Sequence, residues 1–128
     1  MCLVTAQLKP KIADKDIICY KLVKRTKIKG VYKSSFQGFE YIIRQLYISN
    51  IDIRFVGKIT KGYIHSYFYI IEEGMFHSYT SNLYPILSPL PNCALLKCII
   101  PKGAYYFEGR HNGILGYTSS QIKILEEI

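Results

Sequence analysis

Two of the three histidines in this chain of 128 residues sit in a local repetition. Gly62-Tyr63-Ile64-His65-Ser66-Tyr67 is matched by Gly74-Met75-Phe76-His77-Ser78-Tyr79. The flanking pattern predicts a hairpin of 63–71 and 75–80 around Glu72-Glu73-Gly74, because a three-residue loop needs a left-handed residue and Gly74 supplies it. Tyr69 would then face His77, and Tyr67 would face Tyr79. Strand side chains alternate between faces, so His65, Tyr67, Tyr69, His77 and Tyr79 would share one face. Tyrosine rings stack on bases and offer hydroxyls to phosphate. Imidazole adds a charge that switches near neutral pH. This face is a candidate floor for a flat ligand. The plainer reading is cross-strand pairs of half-buried Tyr and His, and a one-residue slip would split the histidines between faces.

A second constellation is electrostatic. The net charge is +8, and residues 1–33 carry +7 of it. Within 21–33 stand Lys21, Lys24, Arg25, Lys27, Lys29 and Lys33, with no acid among them. Such a segment attracts nucleic acid, a nucleotide or an acidic protein face. The plainer reading is an edge strand whose lysines deter aggregation. A third candidate is the glycine-rich stretch 108–116, read as a polar loop in which Arg110 and His111 could bind a ligand.

Other chemistry is not indicated. Cys93-x4-Cys98 lacks a second ligand pair, and positions five apart on a strand face opposite ways. No metal or cofactor is therefore expected. No nucleophile elbow, phosphate loop or dinucleotide fingerprint occurs. Glu72-Glu73 reads as a turn and Glu126-Glu127 as a terminus, so paired-carboxylate catalysis is not suggested.

The elements that must position these residues are short apolar runs broken by Gly, Pro, Asn and charge clusters. Twelve tyrosines and many isoleucines favour strands. Strands are predicted over 2–8, 16–23, 31–36, 51–56, 93–100, 104–107 and 117–125, with 93–100 central. Residues 39–47 fit either a strand or a helical face. Pro85, Pro89 and Pro91 exclude a regular strand over 82–92. The expected fold is α+β, mainly β: a single domain over 1–128 with a strongly curved or split antiparallel sheet and at most one or two short helices. No window spans a bilayer and no signal peptide is read, which points to a cytoplasmic protein without a membrane partner. Cys2, Cys19, Cys93 and Cys98 are then expected as free thiols. A homo-oligomer is compatible with the sequence but not indicated by it.

Two resemblances add to this. Gly74-x-Phe76-His77-Ser78-Tyr79, a proline-rich gap, Cys98-Ile99-Ile100-Pro101-Lys102-Gly103-Ala104-x-Tyr106 and Tyr117-x-Ser119 resemble a pattern in small uncharacterised proteins of gut bacteria and their phages. It covers roughly the last half of the chain and implies a mobile-element origin. Tyr117-Thr118-Ser119-Ser120 is similar to the aromatic-x-Ser-Thr-Ser strand of ADP-ribosyltransferase-like domains, which implies an NAD-using enzyme. That class places a catalytic Glu shortly after the strand, where this chain has Gln121-Ile122-Lys123, so Glu126 or Glu127 would have to serve. The leading expectation is a non-enzymatic binding module for a nucleotide, nucleic acid or acidic host protein. The alternatives are the NAD-using enzyme and a host-defence inhibitor acting by protein contact.

Overall fold

Alternation of apolar and polar side chains with a period of two runs through the longest segments of the chain, and it builds strands. The computed structural model describes residues 3–5, 10–34, 39–49, 58–61, 67–71, 76–82, 92–111 and 113–128. These form thirteen strands: β1 (Leu3–Thr5), β2 (Lys11–Ile12), β3 (Ile17–Arg25), β4 (Val31–Ser34), β5 (Glu40–Ile42), β6 (Leu46–Ile48), β7 (Lys58–Lys61), β8 (Tyr67–Ile71), β9 (Phe76–Tyr79), β10 (Cys93–Ile100), β11 (Tyr105–His111), β12 (Ile114–Ser119) and β13 (Gln121–Glu127). No helix occurs among the described residues. The fold is mainly β; the α component expected from the sequence is not seen there. No described helix is long and apolar enough to cross a membrane.

One open antiparallel sheet runs β6-β13-β10-β3-β9-β12-β11-β1-β8-β7, with β2 beside β11 and the β4–β5 hairpin extending from β3. The predicted central strand is central: β10 pairs with β3 along its whole length, from Cys93 opposite Lys24 to Ile100 opposite Ile17. Its other edge pairs with β13, with a bulge at Lys97/Cys98. Cys19 and Val23 of β3 point inward with Ala94, Leu96, Cys98 and Ile100 of β10 and Ile122 and Ile124 of β13. Phe39, Tyr41, Tyr47 and Phe76 meet edge-on or tilted, with centroids 5.0–6.4 Å apart. Of these, Tyr41 and Phe76 belong to the core. Edge-on contact sets the positive rim of one ring against the negative face of the next.

Three expectations change. Residues 39–47 are not helical: β5 ends in a turn where Arg44 takes a positive φ of 69°, and β6 then joins β13. The stretch 108–116 is not a loop. Tyr105–His111 and Ile114–Ser119 pair as a hairpin, and Gly113 at φ 83° provides the left-handed residue a tight connection needs. The single strand predicted over 117–125 is two strands divided at Ser120. There the chain leaves β11 and β9 for β10 and β6, and Ser120 holds the corner. Its N–H donates to Tyr105 O at 2.9 Å, and its hydroxyl accepts from Tyr105 N at 3.0 Å. The strand expected at 51–56 lies outside the described residues.

Candidate functional site

The basic segment forms the β3–β4 hairpin. Lys24 and Lys33 stand directly opposite each other, and Arg25 is opposite Tyr32. The connection is tied by Thr26, whose hydroxyl donates to Val31 O at 2.8 Å and accepts from Ile28 N at 3.2 Å. Gly30 completes the turn at φ 83°. This fixes Lys27 and Lys29 at the tip, both exposed, with Ile28 between them 66% exposed. Lys24 and Lys33 are also exposed. None of these four lysines makes an ion pair with a described carboxylate, although Glu40 stands opposite Lys33 on β5. Like charges directly opposed on a sheet repel. Arg25 is engaged: its Nε donates to Glu127 at 2.9 Å and its Nη1 to Cys93 O at 2.7 Å.

Lys21 departs from the set. As an inward position of β3 it is buried, so it cannot belong to the exposed basic surface. Its ammonium donates to the carbonyl of His77 and lies 5.1 Å from the centre of the Tyr41 ring. The reason is topological. β3 and β9 are joined at a single pair, Tyr20 opposite Tyr79. Two residues along β9 from that pair, the lysine side chain reaches across to the His77 carbonyl. Next to it, Cys19 and Cys98 face each other across β3 and β10, both fully buried. Ser78 adjoins Cys19, and its hydroxyl is buried without a geometric hydrogen-bond partner among the described residues. Burial pushes the Lys21 ammonium below the ordinary lysine value, opposed by the charge of the two thiol groups. Burial pushes Cys19 up, but the polar groups of Cys98 and Ser78 beside it and the Lys21 charge bring it below its ordinary value. The neighbouring Cys19 side chain, then burial, raise Cys98. Sequence reasoning missed this cluster, although the alternation Cys19, Lys21, Val23 placed a lysine between two apolar inward positions.

The histidine–tyrosine face is only partly assembled. β8 pairs with β1 and β7, whereas β9 pairs with β12 and β3. The predicted hairpin therefore does not form between them. Three strands, β12, β11 and β1, stand between β8 and β9 in the sheet, so Tyr67 and Tyr69 are not register neighbours of His77 and Tyr79. His65 lies outside the described residues. His77 and Tyr79 do share one face of β9, and the neighbour they gain is His111. The His111 ring centroid is 5.1 Å from His77 and 5.7 Å from Tyr79. Gly116 allows this, since a Cβ there would come within 2.3 Å of the His111 ring and 2.6 Å of the Ser78 carbonyl oxygen. His111 Nε2 donates to Tyr117 O at 3.1 Å, and His77 Nδ1 shares a hydrogen bond with Thr118 Oγ1 at 3.0 Å. His111 is 1% exposed. It is a packing residue of this cluster and not an open ligand contact. Arg110 points the other way, exposed at the hairpin end, and donates to Gly113 O at 2.9 Å.

Thr118 and Ser119, on which the transferase resemblance rests, are fully buried. Glu127 is committed to Arg25, and Glu126 stands opposite Lys97. Cys93 and Cys98 face opposite sides of β10, and no group of three or more metal-binding side chains occurs among the described residues. No protein-family model, curated protein or solved structure matches the chain.

Proposed function

We propose that the chain is a non-enzymatic binding module that engages nucleic acid through the β3–β4 hairpin. The observation that carries this reading is the exposed quartet Lys24, Lys27, Lys29 and Lys33, with Lys24 set directly against Lys33. Two opposed lysines repel each other in the free protein, and a phosphate between them removes that repulsion. The tip adds Ile28, an apolar contact that needs no charge on the ligand. Arg25 and Lys21 do not contribute, because each already has a partner inside the protein.

The test is the salt dependence of oligonucleotide binding, followed by fluorescence anisotropy. With four lysines on phosphates, log K falls against log salt with a slope of about −3 to −4. Replacing Lys24 and Lys33 with Gln together flattens the slope by about 2. A slope near zero, or a double variant that binds as the parent does, sinks the reading. Binding to an acidic protein with no affinity for oligonucleotides would assign the same surface to a different partner.

A further inference from the structure

We propose that Cys19 and Cys98 form a reversible oxidation site, in which hydrogen peroxide converts the cross-strand thiol pair into a disulfide beside the buried Lys21. The two cysteines are register partners on adjacent antiparallel strands. Directly opposed residues have Cα atoms about 4.5–5.5 Å apart, inside the span a disulfide bridges. Both side chains are buried on the inward face of the sheet, so the two thiols lie on the same side of it. Neither thiol has another cysteine as register partner, since Cys93 stands opposite Lys24.

The chemistry balances as a two-electron oxidation. The Cys19 sulfur, as thiolate, attacks one peroxide oxygen. The S–O bond forms, the O–O bond breaks, and hydroxide leaves to take up a proton as water. The Cys98 sulfur then displaces the hydroxyl from the sulfenic acid and gives up its proton. The S–S bond forms and a second water leaves. Two thiols are oxidised and one peroxide is reduced. Lys21 holds positive charge next to the attacking sulfur, as reactive thiolates require. The acidity of Cys19 and the raised value of Cys98 fit an attacking and a resolving thiol respectively. Both sulfurs are buried, so peroxide reaches them only when the sheet opens locally. Beside Cys19, β3 and β9 share one register pair, Tyr20 and Tyr79, and the bond from Lys21 to the His77 carbonyl. Local opening costs least where few backbone bonds cross. Cβ atoms of opposed strand residues lie about 4.5–5.5 Å apart, wider than the mean for a disulfide of about 3.8 Å. The bridge is therefore strained and readily reduced, as regulatory disulfides are.

The experiment exposes the reduced, folded full chain to hydrogen peroxide, blocks remaining thiols and maps the cross-links by mass spectrometry. The expected product is a peptide pair joined through Cys19 and Cys98 that dithiothreitol releases, formed equally in Cys93→Ser. Lys21→Met keeps the shape of the side chain and removes its charge, and it slows cross-linking by about tenfold or more. In Cys98→Ser, Cys19 accumulates as sulfenic acid, trapped by a dimedone probe. If that variant fails to fold, the parent and Lys21→Met still decide the matter. A folded chain that oxidises only at Cys93, or that cross-links at the same rate in Lys21→Met, overturns the proposal.

Discussion

Lys21 and Lys24 stand three positions apart on β3 and have opposite surroundings. Lys21 lies among thiols, an aromatic ring and a backbone carbonyl; Lys24 faces solvent and another lysine. Residue type does not distinguish them, and parity does. Cys19, Lys21 and Val23 face the core, whereas Ile18, Leu22 and Lys24 face out. A buried ammonium survives only because its hydrogen bond and neighbouring charge offset desolvation. The sharpest way to break the comparison is to invert both charges. Lys21→Glu sets a carboxylate against the His77 carbonyl and two thiols, and we expect a loss of about 4 kcal/mol or more, enough to unfold a marginal domain. Lys24→Glu relieves the repulsion with Lys33 and should change stability by no more than about 0.5 kcal/mol. Urea denaturation measures both. Equal losses would mean that Lys21 is not enclosed.

Alkaline titration sharpens the same contrast, because only the inner region couples ionisation to folding. Burial, then the charge of Cys98, holds the Tyr41 hydroxyl far above the usual phenol value. Burial also raises Tyr79, and burial with the charges of Glu108, Cys19 and Tyr106 raises Tyr117. A group whose folded value is raised contributes its full stability below the unfolded value, about 10 for tyrosine, and loses it as pH climbs beyond. Lys21 has the opposite sign. Its folded value is lowered, so stability gained from shedding its proton rises with pH up to the ordinary lysine value near 10.4. Cys19 follows Lys21 in sign, and Cys98 follows the tyrosines. We expect stability to fall above about pH 10, with the part of the tyrosinate absorbance that Tyr41→Phe removes appearing together with the loss of strand circular dichroism. Tyr41→Phe should move that transition to higher pH. If the absorbance lost in Tyr41→Phe runs ahead of unfolding in the parent, Tyr41 is open to solvent.

The strand content was legible because period-two patterning and turn residues are local signals. Cys93–Ile100 reads as central from its unbroken apolar run, and it is. Pairing was less legible. The repeat around His65 and His77 suggested a hairpin, yet β8 and β9 are parted by β12, β11 and β1; strand order depends on which edges find partners, and no local spacing encodes that. Asn112-Gly113 is the strongest short hairpin signal, and it was hidden by reading the surrounding glycines as a loop. Gly116 is there for the His111 ring, a contact between strands that sequence spacing cannot reveal. The basic segment was found as a segment, but assigning all six charges to one surface ignored the alternation that sends Lys21 inward.

The smallest expected effect tests the outer region alone. Arg25 bonds Glu127 at 2.9 Å, with side chains 52% and 35% exposed. Pairs of this kind contribute about 0.2–1 kcal/mol and weaken with salt. The guanidinium also holds Cys93 O, so Arg25 stays anchored when the carboxylate is removed. Glu127→Gln should therefore cost no more than about 0.5 kcal/mol at low salt and nothing measurable at high salt. It also leaves the Arg25 charge without its carboxylate beside the lysine quartet. If the hairpin binds nucleic acid, this variant should bind more tightly, with a salt slope steeper by about 1. Tighter binding without lost stability would separate the two regions cleanly: charges outside serve a ligand, while the charge inside serves the fold. A stability loss matching that of Lys21→Glu would instead make the base of the hairpin part of the core, and the division of β3 into an inner and an outer region would fail.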